Sequence, residues 1–133
     1  MLTLSQAQAA IAAGQSRAAQ LGVPVNIAVL DAAAHLLAFG RMDEAVLGSI
    51  DVALGKARTS ALFGITSEAV WDYCKPGAPA PGLERCNGGL MTFPGGAPVR
   101  DPSGRLAGAV GVSGGSPDQD ADIARAAIAA LNA

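Results

Sequence analysis

The chain has 133 residues, half of them hydrophobic, which predicts a single domain over residues 1–133 with a core of its own. Its formal net charge of −2, with no cluster of Lys, Arg and aromatic side chains, argues against nucleic-acid binding. No positively charged leader opens the chain and no apolar run reaches about 18 residues, so we expect a soluble, cytoplasmic domain without membrane contact.

The first predicted element is a helix over residues 3–21. Thr3 and Gln6 form a capping box, and small and apolar residues recur behind them at helical spacing. Gly22 stands where glycine commonly ends a helix. The alanine-rich face of this helix predicts close packing on a sheet.

Two strands are predicted next, over residues 25–31 and 35–41. The connection between them is short, so they are expected to pair as a hairpin. The second is apolar on both faces from Leu36 to Phe39, which indicates a strand that is covered on both sides.

The stretch FGRMDEAVLG, residues 39–48, concentrates charge in a chain that has little of it. One interpretation is a junction between strand and helix, with Asp43 as the helix cap, Glu44 near the first turn and Arg41 paired with either acid. The other is the polar part of a binding site. The residues alone leave both interpretations open.

Two further helices are predicted, over about 47–63 and 67–73, from the spacing of their apolar residues. Phe63, Trp71 and Tyr73 lie at spacings that would form one patch. Core packing is the first interpretation of this patch, and an aromatic wall for a flat ligand is the second.

Residues 75–104 hold six of the eight prolines and seven of the seventeen glycines, which is typical of a linker or a long loop. Short strands are predicted within it over residues 90–93 and 97–100, and a longer one over 105–115. The order of elements predicts an α/β (α+β) domain, in which helices pack on an antiparallel sheet of about five strands.

The last helix is predicted to begin with Ser116 as cap, Pro117 in the first position and Gln119 completing a capping box. A glycine-rich strand end precedes it, an arrangement that can bind phosphate. Asp118 and Asp120 already place negative charge at this helix end, which argues against an anion there.

His35 is the one histidine of the chain and follows a turn. It is either a solvated turn residue or an axial ligand of haem iron, which requires only one protein side chain. Cys74 and Cys86 have no C-x-x-C spacing, and whether they pair or react is open. A nucleophilic pair of Cys86 and His35 would require the two to meet in the fold.

Four stretches occur together in one order: VLDAAAHLLAFGRMDEA, IDVALGKARTSALFGITSE, FPGGAPV and GRLAGAVGVSGGSPDQDADIA. In this combination the chain resembles the GlcG/HbpS family, which includes the carboxy-terminal domain of PduO-type proteins. The resemblance extends from about Leu4 to Ala130. The chain differs from the family at Ala33 and Ala34, where two glycines are usual before the second strand.

The resemblance implies a profilin-like or PAS-like layout and a homo-oligomer. Because several members bind haem, it implies a small-ligand protein that binds haem or a tetrapyrrole and is accessory or sensory. His35 is then the candidate ligand of the haem iron, although it lies in the turn where the chain departs from the family. The implied ligand-binding residues are Arg41, Met42, Asp43, Lys56, Thr59, Gly95 and Gly96.

The alternative function is a small enzyme acting on an organic acid or an aromatic-degradation intermediate. Arg41 and Lys56 would then hold the carboxylate of the substrate. No acid–base pair stands at a fixed spacing in the sequence, so no catalytic residue is assigned, and whether the chain is an enzyme is left open.

Overall fold

The computed structural model describes residues 1–131 of the chain. Its helices are α1 (Leu4–Leu21), α2 (Ser49–Phe63), α3 (Ser67–Cys74) and α4 (Pro117–Ala129), with a short 3₁₀ turn at Leu83–Arg85. Its strands are β1 (Asn26–Asp31), β2 (Leu36–Arg41), β3 (Gly96–Arg100) and β4 (Leu106–Ser113). In this part of the chain no helix combines the length and the apolar character that crossing a bilayer requires.

The four strands form one antiparallel sheet in the order β2-β1-β4-β3. Helices α1 and α4 pack on one face of the sheet, and α2 packs on the other. The predicted α+β domain with helices on an antiparallel sheet is confirmed, whereas the profilin-like or PAS-like name of its layout stays a prediction.

The strand predicted over residues 90–93 is wrong, so the sheet has four strands rather than about five. The Met91 N–H donates to Thr59 Oγ1 at 3.0 Å, and the Ser67 hydroxyl donates to the Phe93 carbonyl at 2.6 Å. Because side chains of α2 and α3 bind these backbone groups, the segment does not enter a β-ladder.

The predicted capping boxes are confirmed at both ends of the fold. Thr3 Oγ1 accepts the Gln6 N–H at 3.1 Å, and Ser116 Oγ accepts the Gln119 N–H at 3.2 Å. Gly22 ends α1 in the left-handed conformation, with φ 69°. These short-range signals determine where α1 and α4 begin and where α1 ends.

The two faces of the sheet are packed with side chains of different size. The face under α1 and α4 is filled by larger side chains, among them Ile27, Val29, Val110, Val112 and Ile123. The face under α2 is filled mainly by alanines, among them Ala28, Ala57, Ala61 and Ala109. Small side chains allow α2 to approach the sheet backbone closely.

Strand β2 lies at the edge of the sheet, and the prediction that it is covered on both sides is wrong. Helix α1 packs on one face of β2, but α2 lies over β1, β3 and β4. Leu36 is accordingly 54% exposed, and Phe39 is only half-buried. The open face of β2 is therefore the part of the sheet where apolar residues meet solvent.

An ion pair between α1 and α4 makes part of the stability dependent on pH. Arg17 Nε and Nη2 donate to the two carboxylate oxygens of Asp122 at 3.0 and 2.9 Å, and these bonds lower the pKa of Asp122. A carboxylate with a lowered folded-state pKa stabilises the fold above its unfolded value of 3.8, and this contribution is lost as pH falls through the folded-state pKa.

We therefore expect Arg17→Met to be less stable than the wild type at neutral pH, by an amount that shrinks below about pH 3.8. Urea unfolding at neutral pH and at about pH 3 measures both differences. A difference that stays constant between the two pH values would show that lost packing, rather than the lost charge pair, explains the effect.

Candidate functional site

Lys56 is the most deeply buried charged residue among the predicted ligand residues. Its side chain is 0% exposed, and its ammonium donates to Asp120 Oδ2 and to the Val112 carbonyl, both at 2.9 Å. The Phe93 ring covers a third side, with its centroid 4.8 Å from Nζ. The ammonium is therefore paired within the protein and does not face solvent.

Asp120, in the first turn of α4, is the buried partner of Lys56. Its other oxygen, Oδ1, accepts the Gly115 N–H at 2.9 Å. Burial raises the pKa of Asp120 and lowers the pKa of Lys56, and the attraction within the pair opposes both shifts. The pair joins α2 to the start of α4 across the end of β4.

Two glycines pack directly on Lys56. A Cβ on Gly95 would lie 2.7 Å from Lys56 Nζ, and a Cβ on Gly96 would overlap the Lys56 carbonyl oxygen. Thr59, one turn later on α2, accepts the Met91 N–H described above. The structure therefore brings Lys56, Thr59, Gly95 and Gly96 together, and protein atoms occupy the space between them.

Arg41, Met42 and Asp43 lie at the end of β2. Arg41 and Asp43 are exposed, and the ion pairs within residues 1–131 do not include either side chain. Met42 packs against the core under α1 and α4, and its sulfur accepts the Val25 N–H at 3.5 Å. Arg41 is thus the predicted cation that faces solvent.

The prediction that Asp43 caps the following helix is wrong. The N-cap of α2 is Gly48, which provides no side-chain hydrogen bond. The chain between Asp43 and the helix forms turns, in one of which the Ala45 N–H donates to the Met42 carbonyl at 3.2 Å. Asp43 is therefore several residues away from the start of α2. Glu44 lies in that connection with φ 67°, a left-handed conformation that is uncommon outside glycine.

Three side chains share the open face of β2, and we name Leu36, Phe39 and Arg41 the β2 strip. Leu36 pairs with Leu30 and Phe39 with Ala28, and both partners lie on the α2 side of the sheet. Arg41 is two residues beyond Phe39, so the alternation of a strand places it on the same face. The strip has an apolar part and one cationic end.

His35 immediately precedes the β2 strip, in the turn between β1 and β2. Its side chain is 81% exposed, and its Nδ1 lies 3.8 Å from Asp31 Oδ2. The other oxygen of Asp31 accepts the N–H groups of Ala33 and His35, both at 2.9 Å, which holds the turn in place. The four-residue spacing of Asp31 and His35 is the sequence signal for this pair.

Ala34 in this turn has φ 66°, a left-handed conformation. It is one of the two positions where related sequences were expected to carry glycine. The turn therefore keeps a backbone shape that favours glycine even though an alanine occupies it.

The two cysteines do not form a disulfide. Cys74 is buried and Cys86 is exposed, and both are free thiols. Residues 1–131 contain no group of three or more His, Cys, Asp and Glu side chains arranged to hold a metal ion.

Comparison with known proteins places this fold and these motifs in one family. Residues 2–129 match the family described as "Haem degrading protein HbpS-like". The chain is 42% identical over 122 residues to the corrinoid adenosyltransferase PduO of Salmonella typhimurium, an alignment that covers 90% of the chain and 36% of PduO. The chain therefore spans about a third of that curated relative.

Two solved structures share the fold over nearly the whole chain. A PduOC:heme complex has a TM-score of 0.93 and 38% identity, with coverage of 99% of this chain and 96% of that one. The Klebsiella pneumoniae protein ORFY has a TM-score of 0.95 and 34% identity, with coverage of 98% and 90%. The similarity predicted from the four sequence stretches is confirmed.

Proposed function

The chain belongs to the family of HbpS-like haem-degrading proteins, and from this premise we propose that it binds haem or a closely related tetrapyrrole through His35. The observation that carries the proposal is the exposed imidazole at the start of the β2 strip, with the Asp31 carboxylate 3.8 Å from its Nδ1. This separation is longer than a hydrogen bond, so the carboxylate does not fix the ring, but a carboxylate near Nδ1 would favour Nε2 as the nitrogen that binds a metal.

The side chains around His35 fit the chemistry of haem. Haem requires an axial ligand, apolar contact for its ring and cations for its propionates. We assign the first to His35, the second to Leu36 and Phe39, and the third to Arg41. His35 pairs with Asp31 at the start of β2 and neighbours these side chains rather than sharing their face, so the ligand would lie against the edge of the sheet. The solved haem complex of a relative that is 38% identical over nearly the whole chain supports haem as the ligand, and the assignment of these residues is our proposal.

The spacing along β2 favours a large ligand over a small acid. His35 and Arg41 are six residues apart, which corresponds to roughly 20 Å of extended strand at about 3.3 Å per residue. A ligand that contacts both ends must be wide and flat, and for haem, whose iron lies at the ring centre, the side chains of His35 and Arg41 would both have to extend toward it. A small organic acid would contact only one of them.

The predicted ligand residues divide into two proposed roles. Arg41, with Met42 and Asp43 beside it, lies at the cationic end of the proposed site. We assign Lys56, Thr59, Gly95 and Gly96 to the internal frame that holds α2, because their contacts are with one another and with β4, α4 and the loop that precedes β3.

We propose a binding role, accessory or sensory, rather than catalysis by side chains of this domain. Bound haem would supply redox-active iron, while His35 would hold it and Arg41 would orient its carboxylates. The enzyme alternative ranks second, since it requires Lys56 to leave Asp120 and Val112 to reach a substrate. The exposed edge strand and its apolar Leu36 support the proposal of a homo-oligomer.

We expect the wild type to give a saturable Soret shift when titrated with micromolar hemin. His35→Ala should lose the shift or bind at least tenfold more weakly, because no other histidine can replace it. Arg41→Ala should bind roughly tenfold more weakly, which corresponds to one charge-assisted hydrogen bond.

Arg125→Ala is the matched control for this titration, because Arg125 is an exposed arginine on α4, which packs on the opposite face of the sheet. It should bind hemin as the wild type does. Equal spectra for the wild type and His35→Ala would remove His35 from the site, and no saturable shift in the wild type would remove the proposed function itself.

A further inference from the structure

The proline-rich segment between α3 and β3, residues 75–95, is an ordered loop rather than a linker. The Ala80 N–H donates to the Tyr73 carbonyl, and the Leu90 N–H donates to the Glu84 carbonyl, both at 2.8 Å. Loops of more than about 12–15 residues inside a compact domain are usually functional. The proposed haem site does not use this one.

The loop and α3 line an open surface groove of about 450 Å³. Its walls include Trp71, Cys74, Pro76, Pro81, Glu84 and Arg85. Trp71 is 40% exposed, so core packing does not account for its position. The groove is open to solvent, so a small molecule would lie against its wall rather than inside a closed cavity.

The charged groups of the groove have different surroundings. Glu84 is half-buried and faces Cys74, and burial together with this carboxylate raises the pKa of the thiol. A thiol kept protonated is a poor nucleophile, which favours binding over covalent chemistry. Arg85 is exposed, and the ion pairs in the described part of the chain do not include it.

We propose that this groove binds a small aromatic carboxylate, with its ring against Trp71 and its carboxylate on Arg85. The indole and the two prolines form an apolar wall that suits a flat ring. The guanidinium presents parallel N–H donors that match the two oxygens of a carboxylate. The groove is formed by α3 and the loop that follows it, whereas the proposed haem site is formed at β2. An experiment can therefore contradict either proposal without contradicting the other.

Trp71 is the one tryptophan of the chain, so its fluorescence reports directly on the groove. We expect benzoate to change this fluorescence saturably in the full chain. Arg85→Ala should bind benzoate at least tenfold more weakly, and Arg105→Ala, an exposed arginine in the β3–β4 turn, should bind as the wild type does. Benzamide, which keeps the ring without the charge, should also bind at least tenfold more weakly to the wild type.

Isothermal titration calorimetry needs no fluorescent reporter, so it can test the stacking contact with Trp71→Ala. We expect this variant to bind benzoate more weakly than the wild type does. The proposal is overturned if benzoate gives no saturable change at millimolar concentration. It is also overturned if Arg85→Ala binds benzoate as tightly as the wild type does and the wild type binds benzamide as tightly as benzoate. The carboxylate would then have no part in binding.

Discussion

Replacing Lys56 by methionine is expected to lower the free energy of unfolding by about 3–5 kcal/mol, because the Asp120 carboxylate would stay buried without its cation. Asp120 is 2% exposed and so cannot turn to solvent without opening the end of α4. Methionine is unbranched and fills most of the space of the lysine stem, so the loss reports the charge rather than a cavity. Urea unfolding at neutral pH measures it.

The double variant Lys56→Met with Asp120→Asn separates pairing from packing. Asparagine removes the unpaired charge and keeps an oxygen for the Gly115 N–H, so the double variant should be more stable than Lys56→Met alone. Lys75→Met is the surface control, since Lys75 and Asp72 form an exposed pair at 3.4 Å. It should change stability by no more than about 0.5 kcal/mol.

If Lys56→Met were no less stable than Lys75→Met, the buried pair would not be what holds α2 to α4. If the double variant were as unstable as Lys56→Met, the lost lysine contacts with Val112 and Phe93 would explain the effect instead of the unpaired charge.

Replacing Gly111 by alanine is expected to cost about 3 kcal/mol, at the upper end of the range for overpacked cores. A Cβ on Gly111 would overlap the Ala53 carbonyl oxygen and lie 2.5 Å from the Ala57 nitrogen. Both atoms belong to the backbone of α2, so no side-chain rotation relieves the overlap and the helix must move away from β4. That movement would also open the alanine contacts between α2 and the sheet.

Gly48→Ala is the matched control for Gly111→Ala. Gly48 precedes α2 with φ −61°, and a Cβ there would have no neighbour within 4 Å. We expect its free energy of unfolding to change by no more than about 0.5 kcal/mol. Equal urea midpoints for Gly111→Ala and Gly48→Ala would show that α2 can shift from β4 at little cost.

The elements that were predicted correctly carry short-range signals. The capping boxes at Thr3 and Ser116 and the glycine at position 22 act within one helical turn, so the residues themselves reveal them. The strand over residues 90–93 was wrong for the opposite reason. The hydroxyls of Thr59 and Ser67, more than twenty residues away in sequence, decide the backbone pairing of that segment.

In the candidate site, too, the short-range features could be predicted from the sequence and the long-range features could not. Asp31 and His35 lie within one turn, so their proximity is readable from their spacing. The open face beside His35 was not readable, because it depends on which strands α2 covers. The apolar run from Leu36 to Phe39 looks the same in a covered strand and in an edge strand.

The sequence by itself determined the family and the α+β class, which follow from the order of motifs and elements, and the ends of the first helix, the start of the last helix and the candidates His35 and Arg41, which follow from residues close in the chain. Tertiary structure alone decided that Lys56 is buried against Asp120, 64 residues away, and that Arg41 is exposed. The physical reason is that burial and pairing arise where distant elements pack, and a lysine or an aspartate has the same local pattern whether its charge meets solvent or a buried partner.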